Sequence, residues 1–176
     1  MQEVRFFYHG SGTLFNRIDV SQGLAKKDFG SGFYLSEEMY HAESMAKRKS
    51  RYTGKAYIYK IEIPKELDKR CNSKNYALAD EEWLDFIIYN RYGYGEPKHY
   101  DMVEGFTADA ITMGILDIVV ENIKQGLTIN KKEIIEKLKP DVYPRQLCFC
   151  NQEVADQLKI IEISERCNDT WRKIYG

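Results

Sequence analysis

The amino-acid sequence predicts a single α+β domain, and three observations carry that expectation. Its 176 residues suffice for one sizeable core and not for two. Stretches that alternate in hydrophobicity are interspersed with stretches of helical period. The short strands are not joined by regular crossover helices, which disfavours a doubly wound parallel sheet. No internal repeat, low-complexity stretch or linker divides the chain, so one domain over residues 1–176 is expected.

The elements follow in order. Val4 to Tyr8 reads as an aromatic-rich strand running into a turn at His9-Gly10-Ser11-Gly12. Residues 13–27 are expected to be irregular. A second glycine loop, Asp28-Phe29-Gly30-Ser31-Gly32, leads into a short strand, Phe33–Leu35. Ser36 is suited to cap a helix with Glu37 and Glu38 in its first turn, where carboxylates suit the helix dipole. Met39, Ala42 and Ala46 then recur at helical spacing as far as Lys49. Lys55 to Ile63 alternates: Tyr57, Tyr59, Ile61 and Ile63 share one face, Lys60 and Glu62 the other, and Pro64 ends the strand. Residues 66–80 are polar and are expected to be mostly loop.

Glu81–Tyr92 is expected to be a helix, with Trp83, Phe86, Ile87 and Asn90 on one stripe and a turn-rich connector, Gly93 to Pro97, behind it. Asp101–Gly105 reads as a short strand or loop edge. Met113, Leu116, Val120 and Ile123 set a helix that ends at Lys124. Asn130, with Glu133 three residues on, opens a short helix to Lys139, stopped by Pro140. Gln146–Cys150 is a strand with Gln146, Cys148 and Cys150 on one face and Leu147 and Phe149 on the other. Asn151 caps a further helix to Leu158, and Lys159–Ile163 is the last strand expected.

Charge and composition disfavour several classes. Twenty-six Lys and Arg against 27 Asp and Glu give a net charge of −1, without the basic excess of a general nucleic-acid binder. The strip Lys47-Arg48-Lys49 with Arg51 reads as a solvated helix end. No run approaches the roughly 18 apolar residues of a membrane span, and no secretory leader pattern opens the chain. A cytoplasmic protein with reduced thiols and no membrane partner is therefore expected. Cys148-x-Cys150 lacks the further Cys or His pair of a metal site. The alternative, two buried thiols on one strand face, leaves the chain with no expected metal.

Three places put polar groups where a core would not want them. His9 ends an aromatic strand beside a glycine turn, where ring nitrogen and backbone N–H groups can meet one ligand. The glycines between Asp28 and Tyr34 let backbone approach a ligand closely, and Tyr34 offers a flat face to a planar ring. Gln146 carries an amide mid-strand.

Together these motifs resemble the diphtheria-toxin-like and poly-ADP-ribose-polymerase-like branch of the ADP-ribosyltransferases. The resemblance lies in Tyr8-His9-Gly10-Ser11, then Phe29-Gly30-x-Gly32-x-Tyr34-x-Ser36. The whole chain, from about Phe6 to Ile161, is more closely similar to a bacterial family assigned to that clan, domain of unknown function 3990. That likeness adds Lys27-Asp28, Trp83-Leu84-x-Phe86, Asn90-Arg91, Asp101-x-Val103-x-Gly105, Ala108-Asp109 and Gln146-x-x-Phe149. It implies two small sheets splayed around a cleft for NAD, a split β-sandwich with flanking helices. It implies a His9, Tyr34, Gln146 triad, with Gln146 where the clan carries a glutamate. His9 would bond the adenosine-side ribose, Gly10 would meet the nicotinamide carboxamide, and Tyr34 would stack on its ring. Ser11, Phe29, Gly32, Ser36 and Met45 complete the implied NAD-binding set, Met45 or Tyr40 standing where a second aromatic often sits.

The implied activity is mono-ADP-ribosyl transfer, with NAD as substrate and no metal. It is that of a bacterial toxin whose partner is a small antitoxin and whose acceptor is a protein, a nucleic acid or a small molecule. A glutamine can orient a hydroxyl but supplies neither charge nor a base. That substitution leaves a second class open, a catalytically inactive module that binds NAD, ADP-ribose or a protein partner. A neighbouring carboxylate, Glu104 or Asp101, is a candidate to compensate.

Overall fold

Eight strands join in one open sheet in the computed structural model, which describes residues 5–108, 110–138 and 145–176. In chain order these are β1 (Arg5–Ser11), β2 (Phe33–Ser36), β3 (Tyr57–Ile63), β4 (Ser73–Asn75), β5 (Met102–Phe106), β6 (Arg145–Phe149), β7 (Lys159–Cys167) and β8 (Thr170–Tyr175). Across the sheet they lie in the order β4-β5-β6-β2-β1-β3-β7-β8. Every neighbouring pair is antiparallel except β4–β5. Five helices accompany them among the described residues: α1 (Met39–Thr53), α2 (Glu81–Tyr92), α3 (Ala110–Lys124), α4 (Lys131–Leu138) and the single turn α5 (Gln152–Ala155). The fold is thus mixed α+β, as the interspersed periods predict.

Side-chain alternation sorts the apolar residues onto two faces. One continuous cluster runs beneath Phe7, Phe33, Leu35, Tyr59, Ile61, Leu147 and Phe149. On the opposite face Cys148 and Val103 meet Trp83, Phe86 and Ile87 of α2 and Leu116 of α3. A small third cluster sets Ala42 and Ala46 of α1 against Ala56 and Ile58. The half of the sheet that holds β5 and β6 is therefore buried on both sides, which is why the 145–149 run is apolar at Leu147, Cys148 and Phe149 alike.

α2 has the bounds its sequence predicts because both ends are chemically marked. The Asp80 carboxylate accepts the Trp83 N–H at 2.9 Å, and Gly93 ends the helix in the left-handed region at φ 76°. Elsewhere the boundaries move. β1 runs on to Ser11, so His9 and Gly10 lie in a strand and not in a turn; seven residue pairs with β3 hold it extended. Ser36 ends β2 instead of capping a helix; its hydroxyl accepts the Glu38 N–H at 3.2 Å, and α1 begins only at Met39. Within 66–80 lie a helical turn at Leu67–Arg70 and the short polar strand β4. β7 extends to Cys167 and returns as β8 through Asn168 and Asp169, both at positive φ (47° and 64°). The helix capped by Asn151 stops after one turn, at Ala155. Val4, Asp109, Lys139 and Pro140 lie outside the described residues.

Candidate functional site

β1 and β2 are paired through one register position, Tyr8 opposite Ser36. Beyond it the main chains separate, and a side chain spans the gap: His9 Nδ1 lies 2.7 Å from the Tyr34 carbonyl oxygen. A carbonyl only accepts, so Nδ1 carries the proton and Nε2 is left as an acceptor. A cavity of about 850 Å³ opens at this seam, within the size range of small-molecule and cofactor sites. α1 walls it on one side and the 12–23 segment on the other.

The seam explains how residues on opposite faces come to share one cavity. Alternation turns His9 to the face of Phe7 and Phe33, whereas Tyr34 and Gln146 point to the other face. All three line the cavity, as do Gly10, Ser11, Gly32, Ser36 and Met45. Phe29 does not join them. Its ring is buried in the second core, 6.1 Å from Tyr34 and 6.3 Å from Phe86. Phe29 acts through its backbone instead, donating its N–H to the Tyr34 hydroxyl at 3.0 Å, while that hydroxyl donates to the Gly30 carbonyl at 2.7 Å. The phenol is fixed at its tip by the glycine loop that precedes it.

Two glycines have structural demands of their own. Gly10 lies under α1 so closely that an added Cβ would stand 2.0 Å from the Ala42 carbonyl oxygen. Gly30 adopts φ 82°, which disfavours any side chain. Behind the loop, Asp28 is buried against Arg91 of α2 and accepts the Ala108 N–H at 2.8 Å. Asn90 donates to the Asp28 carbonyl at 3.2 Å. The Asp28, Asn90-Arg91 and Ala108 motifs thus form a brace that holds the loop from the far side of the cavity. Burial raises the Asp28 carboxyl above its ordinary range, and the Arg91 guanidinium offsets part of that shift.

Electrostatically the cavity is cationic. Arg17, Lys27 and Lys49 line it, and Asp19 is the one carboxylate among the described lining residues. Arg17 is paired with Asp156 at 3.2 Å, and Asp19 caps its own turn through Ser21. Lys27 holds its ammonium 4.6 Å over the Tyr34 ring, a cation–π contact. Lys49 donates to the Gly10 carbonyl at 2.7 Å. Burial, then repulsion from Lys27 and Arg48, pushes the Lys49 ammonium down to about 8. Burial and Lys49 push the His9 imidazole down to about 3, against the pull of the Tyr34 carbonyl. His9 is therefore neutral at physiological pH.

Sequence reasoning did not place His41, Lys27 or Lys49 at the site. His41 lines the cavity from α1, its Nδ1 3.4 Å from the Gln146 amide nitrogen, and burial lowers its basicity. The available signal was helical phase: His41, Met45, Lys49 and Tyr52 recur at spacings of three and four after the Tyr34 strand. Lys47, Arg48 and Arg51 are exposed as a solvated helix end should be, but Lys49 turns inward. Tyr40 is exposed and away from the cavity. The two carboxylates considered as compensating groups are engaged elsewhere. Glu104 pairs with Arg5 at 3.5 Å and Arg145 at 3.6 Å, and Asp101 accepts from Asn72 and Asn151, both at 2.9 Å. The Cys148 and Cys150 sulfurs lie 3.7 Å apart, and among the described residues no group of three or more His, Cys, Asp or Glu is gathered to hold a metal. No helix among them is long and apolar enough to cross a membrane.

Residues 6–160 match the family model described as a protein of unknown function (DUF3990). No curated protein and no solved structure matches the chain.

Proposed function

The chain belongs to the DUF3990 family, and we propose that it is an NAD-dependent mono-ADP-ribosyltransferase, the toxin of a bacterial toxin–antitoxin pair. The observation that carries this reading is the seam cavity, which gathers His9, Tyr34 and Gln146 from three strands. On this reading the two flanks of the seam are the halves of a split β-sandwich, and NAD lies between them. His9 Nε2, an acceptor by virtue of the Nδ1 bond, takes a ribose hydroxyl. Tyr34, locked at its hydroxyl, presents its ring to nicotinamide once the Lys27 ammonium moves aside.

The reaction asks little acid–base work of the first step. Nicotinamide leaves its ribose carbon with the bonding electron pair and becomes neutral, through an oxocarbenium-like state. The protein mainly holds the reactive pose. The acceptor then bonds to that carbon and loses a proton. Gln146 orients a hydroxyl there, and His41, next to its amide, takes the proton. A glutamine at this position suits single transfer rather than chain growth. The cytoplasmic setting, the small antitoxin partner and an acceptor that is protein, nucleic acid or small molecule belong to the same proposal.

One observation favours a second reading, a catalytically inactive module that binds NAD, ADP-ribose or a protein partner. Glu104 and Asp101 are bonded elsewhere and do not assist Gln146. Incubating the purified chain with labelled NAD, alone and with cell lysate, separates the two. Nicotinamide release with label transferred to a discrete species, lost in a folded His9→Ala variant, is expected of the transferase. Saturable NAD binding without release selects the module, and absence of both release and binding overturns the transferase and the NAD-binding form of the module alike.

A further inference from the structure

We propose that Lys27 and Lys49 form a subsite for the diphosphate group of a dinucleotide, on the wall of the seam cavity. The inference deepens the NAD reading and rests on it for the identity of the whole ligand, though not for the anion itself. Two observations carry it. Both ammonium groups line the same cavity, one from the loop before β2 and one from α1. Neither forms an ion pair with a carboxylate among the described residues: Lys27 lies over the Tyr34 ring and Lys49 bonds the Gly10 carbonyl. The nearest acid in sequence, Asp28, is taken by Arg91.

Two half-buried like charges without a counterion are costly to keep, because burial removes water from each and their repulsion adds to the cost. An anion reaching between them would relieve both terms. The dimensions favour an extended ligand, because the cavity is large enough for a nucleotide. Lys49 stands beside Gly10 and Lys27 beside Tyr34, so an anion held by both lies between the positions proposed for ribose and nicotinamide contacts. A diphosphate, with two negative groups one bridging oxygen apart, answers two ammonium donors that line one cavity, each a charge-assisted hydrogen bond. On binding, Lys27 exchanges the Tyr34 ring for phosphate oxygen, which clears that ring face for a planar group.

The test uses the full chain and calorimetric titration with inorganic pyrophosphate, NAD and nicotinamide riboside, for wild type, Lys27→Met and Lys49→Met. Wild type is expected to bind pyrophosphate saturably, and each substitution to weaken both pyrophosphate and NAD by about tenfold or more. Nicotinamide riboside, which has no phosphate, should lose less than about twofold in Lys49→Met. Both variants should melt at or above the wild-type temperature without ligand, because a repelled charge has been removed; a structural role would lower it. No pyrophosphate binding by wild type, or NAD affinity unchanged in both variants, overturns the subsite. Pyrophosphate binding that depends on both lysines, in a chain that never releases nicotinamide, upholds the subsite and rejects the transferase.

Discussion

Asp28 and His9 meet burial in opposite ways, and each makes a measurable demand. Asp28 is paired in the interior, where Arg91, the Ala108 N–H and the Asn90 amide surround its backbone and carboxylate. Arg91→Met would strand the carboxylate, and a loss of about 3–5 kcal/mol is expected on urea denaturation. The double variant Asp28→Asn, Arg91→Met should lose clearly less than the two single losses summed; strict additivity would mean that the two groups do not act as a pair. His9 gives up its charge instead. Its folded-state value of about 3 lies below the ordinary 6.5, so between those pH values the unfolded chain binds a proton that the folded chain does not. Stability should therefore fall as pH drops through that window. His9→Gln, which can still donate to the Tyr34 carbonyl, should flatten the thermal midpoint between pH 6.5 and 5, where most carboxylates remain charged. An unchanged slope would mean that the imidazole ionises inside the fold.

At the scale of elements, the docking of α1 on β1 turns on one missing side chain. Gly10→Ala would push a Cβ into the Ala42 carbonyl, a backbone atom that cannot swing aside. The helix must lift, costing about 1–3 kcal/mol by chemical denaturation, and Met45 and Lys49 would leave the cavity wall with it. That packing also explains a misreading of the sequence, in which a glycine after His9 signals a turn although the strand continues beneath a helix. Elements with one apolar face and marked ends, such as β3 and α2, were legible because alternation or capping fixes them. β4 and β8 were not: Ser73-Lys74-Asn75 and Thr170 to Tyr175 are polar or exposed edge strands. The local cue for β8 is Asn168-Asp169, a pair suited to a tight hairpin turn. In the candidate site, motif order singles out His9, Tyr34 and Gln146, and all three line the cavity. His41 and Lys49 were hidden because a basic run looks uniform until helical phase turns one member inward.

At the scale of the whole molecule, two core clusters on opposite faces give the β5–β6–β2 half its depth, while α1 covers the β1–β3 half with small residues. The brace at Asp28 ties the glycine loop to the deeper half. Within the sheet the shallower half meets it through one strand pair and one histidine, above an apolar cluster that the two halves share. That junction has a consequence for how the molecule breathes. Amide hydrogens in the β1–β3 ladder, with its seven paired positions, should exchange with solvent deuterium only on large openings. Those along the edge of β2 that faces β1 should exchange far sooner, through partings that leave both halves folded. A ligand lodged across the junction should slow that edge selectively. If both sets instead exchanged in a single step, the two halves would be one cooperative unit, and a guest could enter only when the whole sheet gives way.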